Sequence, residues 1–222
     1  MDAPFVKHDT CFFERYAQVS LCALLGSEFD CLVNRDRPDL QSRDGRSIGI
    51  EVTRAMEESR HAEEELLKDM AGITKGREGE EIDQILEYGY GYGLRGGRYI
   101  GSKELLYWKM ALPMRRIIAS KVSKAGGGFY GHFDKMGLYV FSKDNLEEVD
   151  AVRIMNYTIG LQKYQDIRYN RLYLADVNDL FVCNLDDDLT PDARLLRYWI
   201  SQDLRKTFYL EAVGQRHVAN RM

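Results

Sequence analysis

Cysteine is scarce and dispersed in this chain. Cys11, Cys22, Cys31 and Cys183 form no C-x-x-C pair and no Cys/His group at zinc spacing, so a structural zinc site is excluded and reduced, mostly buried thiols are expected. Histidine is equally sparse. His8, His61, His132 and His217 lie far apart, which leaves little for a mechanism built on a nucleophile and a histidine base, and His132, between Gly131 and Phe133, reads as a polar loop residue. No apolar run approaches the roughly 20 residues that span a bilayer. The opening Met1-Asp2-Ala3-Pro4 shows no basic segment followed by an apolar one, so a cytoplasmic protein without a membrane partner is expected. Positive charge is not in excess either: 31 Lys and Arg stand against 35 Asp and Glu, a net charge of -4. Strong indiscriminate binding to DNA rests on displaced counterions and is therefore disfavoured, although acidic partners stay permitted. There is no internal repeat.

What is present fits a soluble globular class. The 222 residues, 45% hydrophobic and 30% charged, suffice for one domain over 1-222 with a sizeable core. The most informative stretch is Arg37-Pro38-Asp39-Leu40 followed by Ile48-Gly49-Ile50-Glu51-Val52-Thr53. Ser42-Arg43-Asp44-Gly45-Arg46 between them is a turn signal, so a β-hairpin carries Asp39 on one strand and Glu51 on the other.

Register decides whether the two acids meet, because side chains alternate faces along a strand. A two-residue Asp44-Gly45 turn sets Asp39 opposite Ile50 and puts the acids on opposite faces. A three-residue loop of Arg43, Asp44 and Gly45, with glycine in the left-handed position, pairs Ser42 with Arg46 and Asp39 with Gly49. Asp39, Glu51 and Thr53 then share a face, Ile48, Ile50 and Val52 enter a core, and Gly49 leaves open space beside Asp39. The second register is the expectation.

With Phe12-Phe13-Glu14-Arg15-Tyr16 opening a helical pattern that ends at Leu24-Leu25-Gly26, and a strand near Asp30 to Asn34, these residues resemble the PD-(D/E)xK nuclease superfamily, which includes restriction endonucleases and archaeal Holliday-junction resolvases. The resemblance covers roughly residues 10 to 54. It implies an α/β fold with a restriction-endonuclease-like α-β-β-β-α-β core, a mixed central sheet flanked by helices, and here an extra β-hairpin and a C-terminal helix. It also implies metal-dependent hydrolysis of phosphodiesters in nucleic acid, DNA first, with Asp39, Glu51 and the Val52 carbonyl as metal ligands and Glu14 as a third acid. Many such relatives act as homodimers, so that both strands are cut. One residue departs from the pattern: Thr53 stands at the family's lysine position, and an uncharged hydroxyl cannot be the cationic partner of a phosphate.

A replacement cation lies downstream. Met114 to Lys124 reads as a helix whose apolar positions Met114, Ile117 and Ile118 project one further turn onto Lys121. An ordinary snorkelling lysine would look the same. The resemblance, through related families whose lysine has moved to this helix, favours Lys121, with Lys124 next. Carboxylate and carbonyl oxygens suit Mg2+ or Mn2+; such an ion would polarise the phosphoryl oxygen, and Lys121 would offset the developing charge. The alternative is an inactive protein of this fold that serves as a nucleic-acid- or protein-binding module.

An insertion is expected at about 56-102. It starts with an acidic helical run, Met56 to Met70, and holds Tyr88-Gly89-Tyr90-Gly91-Tyr92-Gly93-Leu94-Arg95-Gly96-Gly97-Arg98-Tyr99, a tract able to stack on bases but lacking the lysine-serine ending of a P-loop. Basic residues cluster at Arg95, Arg98 and Lys103, at Arg115, Arg116, Lys121 and Lys124, and from Arg205 to Arg221, as solvated faces or as a groove for a phosphate backbone. Pro113 should kink or restart the helix of Lys103 to Lys124. Strands are expected at Leu138 to Ser142, Arg171 to Ala175 and Leu180 to Asn184, the last two as a hairpin, and a final helix from Thr190-Pro191 towards Val213. Asp186-Asp187-Asp188 is read as a solvated turn rather than an ion site. Tyr157, Tyr164, Tyr169 and Tyr173 are read as core-edge residues.

Overall fold

The segment Ile48–Arg54 (β3) explains the architecture, because it is buried on both faces from Ile48 to Val52 and so must lie inside a sheet covered on two sides. In a computed structural model of the chain, which describes residues 12–55, 94–95, 98–99, 102–186 and 194–214, that is what is found. The elements in chain order are α1 (Phe12–Leu25), β1 (Leu32–Asn34), β2 (Leu40–Ser42), β3, a ribbon of β4 (Leu94–Arg95) and β5 (Arg98–Tyr99), α2 (Ser102–Gly126), β6 (Lys135–Phe141), α3 (Glu148–Gln162), β7 (Arg171–Ala175), β8 (Asp179–Asn184), β9 (Leu195–Trp199) and α4 (Gln202–Ala212). A seven-stranded open sheet runs β1-β2-β3-β6-β7-β8-β9. Its centre, β3-β6-β7, is parallel and both flanks are antiparallel. Parallel neighbours need long crossovers, and α2 and α3 supply them.

Alternation along the strands sorts the core into two layers. Ile48, Ile50 and Val52 of β3, Tyr139 and Phe141 of β6, and Tyr173 and Ala175 of β7 pack with Phe12, Tyr16 and Leu21 of α1 and Phe208 of α4. Met136, Leu138 and Val140 of β6, Leu172 and Leu174 of β7, and Phe181 and Cys183 of β8 pack with Met114, Ile118 and Val122 of α2 and Ile154 and Met155 of α3. Each layer buries large side chains, at about 1.5–3 kcal/mol apiece relative to exposure. The molecule is thus an α/β mixed sheet with helices on both faces.

Several expectations are corrected. The hairpin pairs Leu40 with Ile50 and Gln41 with Gly49, two residues displaced from the expected pairing, so Asp39 lies opposite Glu51 and not Gly49. Gly45 does take the left-handed conformation, at φ 66°, but the connection is longer because Asp44 binds the backbone of Arg46 and Ser47 and holds them out of the ladder. The space at Gly49 is filled: a Cβ there would meet the Phe133 ring at 2.7 Å. Pro113 does not interrupt α2, which runs as one helix through it. The last helix starts at Gln202, capped by Ser201 accepting from the Leu204 amide at 3.2 Å, and Leu195–Trp199 before it is a strand beside β8. Thr190 and Pro191, like most of the expected insertion, lie outside the described residues. Of the thiols described, Cys183 is buried while Cys22 and Cys31 are half-buried. Tyr169 and Tyr173 are core residues, whereas Tyr164 is 90% exposed. No helix among the described residues is long and apolar enough to cross a membrane.

Candidate functional site

The open end of the β2–β3 hairpin gathers the predicted residues. β2 begins at Leu40, so the backbone of Val52 has no ladder partner there; instead the Asp39 carboxylate takes that place, Oδ2 accepting from the Val52 N–H at 2.8 Å. In a strand the N–H and C=O of one residue point to the same edge. The Val52 carbonyl therefore faces the edge that β2 has vacated, next to Asp39. Ile48 shows the same polarity, both its N–H and its C=O being engaged by Ser42 Oγ of β2. Just before the acid, Arg37 is in the left-handed region at φ 65°, a conformation that non-glycine residues seldom adopt and that often accompanies functional segments.

Glu51 is buried in the ladder with β6, its side chain on the α2 face of the sheet. Met114 and Ile118 of α2 pack fully buried in that layer, and one turn on, Lys121 Nζ donates to Glu51 Oε1 at 2.5 Å, with side-chain exposures of only 16% and 8%. Lys124 instead extends over the Phe129 ring. Of the two candidate lysines, Lys121 is the one that reaches the acid. Thr53 shares the Glu51 face and is half-buried.

Electrostatics show what this pair of acids lacks. Burial first, and then the adjacent Glu51 charge, push the Asp39 carboxyl up to about 7; Glu14 adds to the rise, and the Val52 N–H and Lys121 oppose it. Two carboxylates and one ammonium leave unneutralised negative charge, which a cation would relieve. The donor set, two carboxylates and a backbone carbonyl, consists of hard oxygens of the kind Mg2+ and Mn2+ prefer. Glu14 accepts from Asn34 Nδ2 at 2.6 Å. Among the described residues no three or more His, Cys, Asp or Glu side chains are spaced to share one ion, so Glu14 stands beside the Asp39–Glu51 pair and acts on it through its charge.

Two residues were not foreseen. The Tyr130 hydroxyl is buried without a hydrogen bond of good geometry, yet it lies close enough to Glu51 and to the Tyr169 phenol for both to influence its titration, burial being the main cause that raises it. Tyr169 in turn donates to the Lys121 carbonyl at 3.4 Å, a long contact. The sequence signal was the run Gly126-Gly127-Gly128-Phe129-Tyr130-Gly131-His132-Phe133 directly after the lysine-bearing helix. Its aromatics fold over the Gly49–Glu51 face, while His132 is exposed in the loop.

The other candidates settle elsewhere. Arg115 lies 4.2 Å over the Tyr157 ring of α3, and Arg205 donates to Asn178 Oδ1 at 3.1 Å. Asp186 accepts from Asn170 at 3.1 Å and from Arg171 at 3.2 Å, an ordinary polar cluster.

Comparison with protein-family models, curated proteins and solved structures finds no match for this chain.

Proposed function

We propose that this protein is a metal-dependent phosphodiesterase acting on nucleic acid, DNA in the first instance, through a PD-(D/E)xK-like site on a restriction-endonuclease-like core. The observation that carries the reading is the Asp39 carboxylate bonded to the amide of Val52, the residue after Glu51, with Lys121 of the following helix bonded to Glu51. Asp39, Glu51 and the Val52 carbonyl would hold Mg2+ or Mn2+. Such an ion, when bound, polarises a phosphoryl oxygen and acidifies water.

The chain's own groups supply the rest. Lys121, held by its ion pair with Glu51, would offset the negative charge that builds on the phosphate without reorganising. It takes over the part that Thr53 cannot play. Glu14, steadied by Asn34, adds negative potential that favours cation entry. The Val52 N–H holds Asp39 in place, and the ring of Phe133 packs against Gly49.

Calorimetric titration with manganese near neutral pH tests the reading. Wild type should bind, and Asp39→Ala and Glu51→Ala should each lose about tenfold or more in affinity, the scale on which disturbed metal ligation is felt. Plasmid nicking in magnesium should fall with them and with Lys121→Ala. Undiminished metal binding in both carboxylate variants would refute the site; metal binding without any cleavage of DNA or RNA would leave a binding module of this fold.

A further inference from the structure

An exposed aromatic ring follows α2, with two cations over it from segments that also deliver the site residues. Phe129 is 47% exposed and belongs to neither core layer. Its ring meets Tyr130 edge-on, centroids 5.2 Å apart at 89°. The Arg37 guanidinium carbon lies 5.0 Å from the ring centroid and the Lys124 ammonium 5.5 Å. Both cations come from segments that deliver site residues: Arg37 is two positions before Asp39, and Lys124 follows Lys121 by almost one helical turn. Beneath the ring, Tyr130 is the residue whose hydroxyl neighbours Glu51.

A phenyl ring this exposed gains less from burial than a core residue, and exposed cation–π contacts are weak. They are readily exchanged for a better arrangement, because the Arg37 side chain is 60% exposed and its other contact, Asp36 at 3.4 Å, is 86% exposed and screened by water. A flat π-face held only by two weakly bound cations can take a nucleotide: the cations leave the ring for phosphates and a base stacks in their place. Within a duplex both faces of a base are covered by its neighbours, so a strand with unpaired bases fits this surface and a continuous double helix does not.

We propose that Phe129, Arg37 and Lys124 form a clamp for one unpaired nucleotide of a single-stranded nucleic acid, adjoining the phosphodiester that a cation at Asp39 and Glu51 would engage. The clamp rests on the nuclease reading and narrows its substrate to single-stranded segments. It gives the Gly-Gly-Gly-Phe-Tyr-Gly run a purpose: glycines on both sides let the ring stand out from the end of α2.

Fluorescence anisotropy with labelled oligo-dU, oligo-U and a blunt duplex of equal length, in EDTA so that nothing is cut, tests it. Wild type should bind a single strand more tightly than the duplex, and the preferred of the two homopolymers identifies the sugar. Phe129→Ala should weaken single-strand binding about tenfold, in line with the loss of one base–ring stack, and leave the duplex within about twofold; Phe129→Trp should restore it. Arg37→Ala and Lys124→Ala should each lower the slope of log affinity against log salt by about 0.7, as expected for one lost phosphate contact to a single strand. Wild-type affinity in Phe129→Ala, equal losses on single strand and duplex, or no wild-type binding to any strand would overturn the clamp. Manganese titration and nicking of Phe129→Ala separate the two ideas: if both persist while strand binding is unaffected, only the clamp fails, and if wild type binds no manganese, the nuclease reading fails.

Discussion

The two ends of one hairpin treat an aspartate in opposite ways. At the closed end Asp44 is exposed to water, yet Ser42, the Ser47 hydroxyl, and the Arg46 and Ser47 amides all donate to it, and those bonds hold its carboxyl well below the usual range. At the open end Asp39 is half-buried, receives one amide, faces Glu51, and is pushed up to about 7. The closed end stabilises its charge with fixed dipoles and thereby a turn. The open end gathers carboxyl groups without enough donors, the imbalance on which the proposed cation site rests.

The largest effect that tests this contrast falls on the ion pair. Lys121 and Glu51 are both largely buried, and removing one member of a buried pair strands the other, typically at about 3–5 kcal/mol. Lys121→Ala should therefore cost about 3 kcal/mol in urea unfolding, whereas Lys121→Met combined with Glu51→Leu should recover most of that loss. A cost under about 1 kcal/mol for Lys121→Ala would mean that the pair is solvated like a surface bridge, and the open end would lose its distinction from the closed one.

A smaller, pH-dependent effect sharpens the comparison. An acid whose folded pKa exceeds its unfolded value holds its proton more tightly when folded, so ionisation of Asp39 costs stability as pH climbs from about 4 to about 7. Asp39→Asn should thus melt above wild type at pH 8 without divalent ions, by about 1 kcal/mol once partial exposure is discounted, and match it near pH 4. Asp44 has the reverse sign. Its contribution is present above the ordinary aspartate range and fades as acid protonates it, so Asp44→Asn should melt below wild type at neutral pH and converge with it in strong acid. Manganese should raise the melting point of wild type and leave Asp39→Asn unmoved. If both aspartate variants shifted the same way with pH, the assignment of opposite environments would be wrong.

How far these features could be read from the sequence depended on whether a local constraint fixed them. Face sharing by Asp39 and Glu51 was legible because side-chain alternation has a period of two, and a slip of two residues leaves it intact; the slip itself came from Asp44's grip on Arg46 and Ser47, a choice among loop lengths that no pattern decides. Lys121 was legible from its spacing after Met114 and Ile118. The helix Glu148–Gln162 was not foreseen, since its buried face includes Thr158 and Gln162 and its Val149 is 49% exposed, which blurs the apolar period. Leu195–Trp199 reads as helix in the sequence because an edge strand with Leu196 and Trp199 exposed shows no clear alternation. Tyr130 meets Glu51 only through tertiary closure of the loop after α2, which no local signal encodes.

The smallest expected effect concerns that tyrosine. A buried hydroxyl without a well-formed hydrogen bond gains little from its polarity and still loses its hydration. Tyr130→Phe should leave stability unchanged or raise it by up to about 1 kcal/mol in the metal-free protein. Tyr139→Phe, which breaks a 3.0 Å contact with Ser20 in the opposite core layer, should lose about 1 kcal/mol. Thermal melts of the two variants side by side decide the point. A clear loss in Tyr130→Phe would show that the hydroxyl already has a firm partner, and the open end of the hairpin would then be better satisfied than its raised aspartate implies. Stability at or above wild type would leave the phenol as a spare donor beside the carboxylates, free to turn towards whatever the site binds.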